Sequence, residues 1–128
     1  MSTLTASNVS KDGIATLDMQ YVLDGTAKAW ASINGSTPAI RDSENVSSLT
    51  DISTGIFEIT YTNAMGSIDY GAVVSGKGRA TVRSWFHLGA DAHTSPTVSK
   101  ISIVSFQESD QSFFDPNFAT GTVFGDLA

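Results

Sequence analysis

No cysteine occurs in the 128 residues, which removes disulfides, thiolate nucleophiles and thiolate metal sites together and fits assembly in a reducing cytoplasm. Basic residues are scarce: 7 Lys and Arg stand against 13 Asp and Glu, for a formal charge of -6. Nucleic-acid binding draws most of its affinity from clustered cations. These cations are scattered, so no nucleic-acid partner is expected. No apolar run approaches the ~20 residues that cross a bilayer, and Met1-Ser2-Thr3-Leu4 lacks the basic start of a secretory signal. Neither membrane insertion nor secretion is expected.

Chemically reactive side chains are few as well. Glu44, Glu58 and Glu108 are the only glutamates, and His87 and His93 the only imidazoles. A catalytic site needs a nucleophile or an acid–base pair held in a pocket, and nothing here assembles one, so an enzyme is not expected. Glu58 falls on the polar face of an alternating segment and reads as solvated charge. Asp42 and Glu44 flank Ser43 and could approach a cation, but no EF-hand spacing accompanies them. The two histidines read as surface or packed residues. Neither a metal nor a cofactor is expected. Asn45-Val46-Ser47 matches a glycosylation acceptor.

What the chain does contain is Ser, Thr, Gly, Asn and Asp every few residues, with no sustained helical spacing of apolar side chains. That pattern is all-β. At 128 residues one domain can bury roughly two-thirds of the surface its unfolded chain exposes. Over 15–23, Leu17, Met19, Tyr21 and Leu23 alternate with other side chains and predict a strand. Asp24-Gly25 then offers a two-residue turn, so that 26–34 folds back as a hairpin. Further strands are expected over 38–46, 56–63, around 68–74, over 80–88 and 97–107, and in the tail at 120–125. Short strands with turn signals between them predict an antiparallel β-sandwich, jelly-roll-like in topology. Residues 1–25 read as an N-terminal arm or attachment segment, its first 13 residues extended or frayed, and 26–128 as the sandwich domain.

Several strands carry large apolar side chains on both faces, although one face of a sandwich sheet normally meets water. Ile101 and Ile103 point one way while Val98, Val104 and Phe106 point the other; Trp30 sits opposite Ala29, Ala31 and Ile33; Trp85 shares a face with Arg79, Arg83 and His87. A β-bulge could turn such misfits inward. The alternative is burial between identical copies, which makes Trp30, Val98, Val104 and Phe106 interface candidates. Arg79, Arg83, Trp85 and His87 are candidates for ligand or receptor contact, because an indole beside hydrogen-bond donors suits a sugar ring, or for the same subunit interface.

The segment 28–65 adds a resemblance. Lys28-Ala29-Trp30, Asn34-Gly35, Ala39-Ile40-Arg41-Asp42-Ser43, Asn45-Val46-Ser47-Ser48, Asp51, Gly55 and Thr62-Asn63-Ala64-Met65 occur in that order. Together they resemble the core of small fibre and structural proteins of tailed bacteriophages, many of them marine or cyanobacterial. That family usually has an aromatic where Glu44 stands and a longer loop after Asn34-Gly35. The resemblance implies a virion component assembled in the host cytoplasm and, from the fibres of that family, a homotrimer. Within the motif, Arg41-Asp42 is expected to fix a loop. The expected function is therefore a short homotrimeric fibre or spike, attached to other virion proteins through its N-terminal segment, with a host-surface glycan as a further candidate partner. A capsid decoration or head-fibre protein and a carbohydrate-binding module are the alternatives.

Overall fold

The computed structural model describes residues 8–11, 15–78, 84–88, 96–108 and 111–128. Two antiparallel sheets face one another. One has the order β4 (Ala39–Glu44), β3 (Ala27–Asn34), β11 (Ala119–Phe124), β7 (Gly71–Gly76). In the other, β9 (Lys100–Gln107) pairs with β8 (Ser84–Leu88) along one edge and with β6 (Ile56–Tyr61) along the other, and β6 pairs with β5 (Val46–Ser53). The two-residue β10 (Ser112–Phe113) joins β9 at Phe106 and Gln107. Since β8 takes the opposite edge of the same two residues, β10 continues the line of β6. The all-β sandwich expected from the turn-rich alternation is what forms.

Alternation explains the core. Phe57, Ile59 and Tyr61 on β6, Ile101 and Ile103 on β9, Ala29, Ala31 and Ile33 on β3, and Ala119 and Val123 on β11 are all buried in one cluster between the sheets. Each large side chain removed from water there contributes about 1.5–3 kcal/mol before entropy is charged against it. Residues of the edge strands β5, β7 and β8, such as Leu49, Val74 and Phe86, cover the cluster's margins.

Three expectations are corrected. The alternation over 15–23 does not make one strand: β2 (Ala15–Asp18) ends at Asp18, and α1 (Met19–Gly25) follows. The helix buries none of its residues, so the apolar period had no core to answer to. Local bonds hold the helix instead, from Gln20 Nε2 to Asp24 Oδ1 at 2.7 Å and from Lys28 Nζ to the Leu23 carbonyl. A cation at a helix C-terminus also complements its dipole. Asp24-Gly25 accordingly closes a helix and is not a hairpin turn; β3 pairs with β4 and β11. Of the segment expected as an arm, the described residues Asn8–Lys11 form β1, which makes a hairpin with β2; among the described residues neither strand pairs with the sandwich.

The third correction is β5, a strand not anticipated. Its apolar residues Val46, Leu49 and Ile52 recur every third position, the wrong period for a strand. The pairing with β6 slips between Val46 and Ser48 and again between Asp51 and Ser53. Each slip inserts one extra residue and reverses the facing of those beyond it.

Turns join at two knots. At one end, Asp115-Pro116-Asn117 binds two connections, β3 to β4 and β5 to β6, through three bonds. Gly35 N–H donates to the Pro116 carbonyl at 2.7 Å, Ser36 Oγ to Asn117 Oδ1 at 2.7 Å, and Gly55 N–H to Asp115 Oδ1 at 2.7 Å. Gly55 has φ 73°, and a Cβ there would lie 2.7–2.9 Å from the backbone of Ser105 and Phe114. No other residue fits without moving a strand. The opposite knot is built on Asn45.

Candidate functional site

The one-residue crossover from β4 to β5 is Asn45, in the left-handed region at φ 54°, which Asn tolerates better than other residues with a side chain. On β3, the pairing with β11 slips between Val123 and Phe124, leaving Lys28 as the inserted residue. Its carbonyl accepts from Asn45 Nδ2 at 2.9 Å, and the same amide donates to the Asn63 carbonyl at 3.1 Å. Asn45 Oδ1 in turn accepts from Asn63 N–H at 2.7 Å and from Asn63 Nδ2 at 3.0 Å. Lys28, Asn45 and Asn63, widely spaced pieces of the phage-like motif, thus meet at one junction that ties the two sheets together.

The rest of the motif is scaffold too. Arg41 is the inserted residue of a bulge, because Ser32 pairs with Asp42 and Ile33 with Ile40. Its Nη2 donates to the Asn117 carbonyl at 2.7 Å. Arg41 therefore does fasten a loop, though through a backbone oxygen and not through Asp42. Asp42 Oδ1 accepts from Ser43 N–H at 2.9 Å. Ala39 and Ile40 pair with Asn34 and Ile33 at the start of the edge strand, and Ala29 is core.

On the outer face of the β3 sheet, Trp30 is half-buried. Register places Glu44 and Thr122 on either side of it and Val73 beyond Thr122, a row across four strands. The neighbouring row is Asp42, Ser32, Thr120 and Ser75, with the Ser75 and Thr120 hydroxyls 3.2 Å apart. An indole among hydroxyls and carboxylates can stack on a ring and hydrogen-bond at its rim. Sequence proximity could not reveal these partners of Trp30, since each comes from a different strand.

The outer face of the β9 sheet is more closed. No register slip interrupts β9 against β6 or β8, so no bulge turns its misfits inward. Val104 is nevertheless 0% exposed in the single chain. It is corrected as an interface candidate, because a residue already dry has nothing to offer a second copy. Phe106 is half-buried and packs edge-to-face on Phe113 at 5.5 Å. Val98 lies in the turn before β9, not in the strand, and is 38% exposed. Its carbonyl accepts from Met65 N–H at 2.7 Å. Glu58, expected as solvated charge, is 13% exposed and paired with Lys100 at 2.8 Å.

Trp85 and His87 belong to β8, in register with Phe106 and Val104; Arg79, Arg83 and His93 lie outside the described residues. Among the described residues no three potential ligands gather to hold a metal, and no helix is long and apolar enough to cross a membrane. Among the described residues, the groups with a shifted titration are a tyrosine pair in the core margin. Burial, then the hydrogen bond from its hydroxyl to Tyr70 at 3.4 Å, pushes the Tyr61 phenol well above its ordinary value. Burial raises Tyr70 too, and its hydroxyl donates to the Thr97 carbonyl at 2.9 Å. The pair ties β6 to the turn before β9. No family model, curated protein or solved structure matches the chain.

Proposed function

We propose that this protein is a structural component of a tailed-phage particle, a short fibre or spike that works by binding and not by turnover. The observation that carries this reading is where the phage-like motif falls. Lys28, Arg41, Asn45 and Asn63 are spent on holding two sheets and a loop in place, which is the use expected of a motif that defines a scaffold. The sandwich is the display unit, and the N-terminal segment, whose hairpin joins neither sheet, is the attachment to a larger virion part. Several copies on one particle multiply weak contacts. A threefold assembly follows from the resemblance; of the four apolar interface candidates, Trp30, Val98 and Phe106 keep exposed surface to support it.

The Trp30 row is the surface proposed to meet the host, with a glycan as the class of ligand. The test of the particle reading is mass spectrometry of gradient-banded particles from a lysate in which the gene is carried. Peptides of this chain should persist at constant ratio to the major head and tail proteins through a salt wash. Their loss, or their presence only in the soluble fraction, would contradict it. A capsid decoration protein would pass this test and is separated by its location on the particle.

A further inference from the structure

The two long sides of the sandwich differ. On one side the edge strands are β4 and β5, which carry Arg41, Asp42, Glu44 and Asp51 and are interrupted by three register slips. Charges and bulges on an edge are how proteins prevent another chain from adding a strand. The opposite side has β8 of the other sheet, whose Phe86 ring packs on Gly76, and β7, Gly-Ala-Val-Val-Ser-Gly, with no charge, no proline and an unbroken register against β11. Among the described residues no strand pairs with its other edge. Val73 is 61% exposed, and the inward-facing Ala72 and Val74 are only half-buried, unlike their counterparts on β3 and β11. This edge offers unpaired backbone groups and incompletely covered apolar side chains together.

We infer that β7 is a self-association strand, pairing antiparallel with β7 of a second copy about a twofold axis through Val73. Side chains alternate in facing, so an antiparallel pairing that keeps both cores on one side must match odd positions with odd. Centring on Val73 meets that condition: Val73 faces its own copy, Gly71 faces Ser75, and Ala72 faces Val74. Continued beyond the strand, two residues before Gly71 and one after Gly76, the same register brings Asp69 opposite Lys77 of the other copy. Both residues are exposed. Two chains of charge -6 repel, and at this edge they meet without opposing carboxylates in the strand and with a complementary pair at either end.

The pairing joins two four-stranded sheets into one of eight strands. The row Glu44, Trp30, Thr122, Val73 then runs unbroken into its twofold copy, setting two indoles on one face about 24 Å apart at the usual strand spacing. The inference goes beyond the particle reading and stands without it. It requires an even copy number, either a dimer or a hexamer in which two threefold rings are joined back to back.

Native mass measurement of the full chain, with sedimentation across a concentration series, tests it. The wild type should assemble as a dimer or hexamer. Lys77→Glu sets an acid against Asp69 at both ends and should weaken the association about tenfold or more. The double exchange Asp69→Lys with Lys77→Glu leaves the net charge unchanged and should restore it. Val73→Lys, which puts two ammonium groups on the axis, should abolish it. A monomeric or purely trimeric wild type would overturn the inference, as would a double exchange no better than Lys77→Glu alone. Hydrogen exchange on the wild type covers the case of a variant that fails to fold. Amides of 71–76 should lose protection on dilution while those of β3 keep it, and unchanged protection would count against the pairing.

Discussion

Replacing Asn45 by alanine removes four hydrogen bonds at once and leaves an ordinary residue at φ 54°. The bonds are partly exposed, so each contributes about 0.5 kcal/mol, the low end for intramolecular bonds. Left-handed backbone costs alanine about 1 kcal/mol more than asparagine. The total is about 3 kcal/mol, a large share of the stability of a small domain, and corresponds to a fall in Tm of roughly 10 °C. Urea unfolding followed by tryptophan fluorescence, checked for two-state behaviour against circular dichroism, measures it. Asn45→Gly separates the contributions, because glycine accepts the backbone angle and loses only the bonds; it should be about 1 kcal/mol milder than alanine. An alanine variant within about 1 kcal/mol of the parent would refute the claim that this junction holds the two sheets together.

Gly121→Val should destabilise by about 1–3 kcal/mol through overpacking, because a Cβ at 121 would already lie 3.2–3.5 Å from the tips of Ile101, Ile103 and Ile59; an unchanged urea midpoint would contradict the facing of the sheets. A raised folded-state pKa favours the neutral phenol, so the stabilisation from Tyr61 and Tyr70 is complete below the unfolded tyrosine value of about 10 and is lost as pH rises beyond it. Tyr61→Phe should make that alkaline decline shallower, and parallel stability profiles from pH 8 to 11.5 would count against it. Glu58→Gln should cost no more than about 1 kcal/mol, since Lys100 is well exposed, and the difference from wild type should shrink in ~1 M salt; a larger, salt-independent loss would show that the pair does more than screenable electrostatics.

Strands with one dry and one wet face were legible from their residues. Alternation located β6 and β11, because two-residue periodicity survives wherever the register does, while β9, buried on both faces, was found from its apolar residues on each. It failed on β5, where two slips convert the period from two to three, and on α1, where exposed Tyr21 and Leu23 carry no information about a core. Bulges are invisible in one strand because they are a property of a pair. The same reason hid the Trp30 row, assembled from β4, β3, β11 and β7. Val104 was misjudged because alternation gives the direction of a side chain and not what lies over it. The role of Asn45 had a faint signal in the residues themselves: Asn is the residue with a side chain that best tolerates a left-handed turn, here between two apolar-bearing segments.

Location on the particle tests the central claim most directly. Gold-labelled antibody against the sandwich, applied to intact particles and viewed by electron microscopy, should decorate the tail or its fibres. Label confined to the head would replace the fibre by a decoration protein, and particles that carry no label while denatured particles react in solution would contradict surface display altogether.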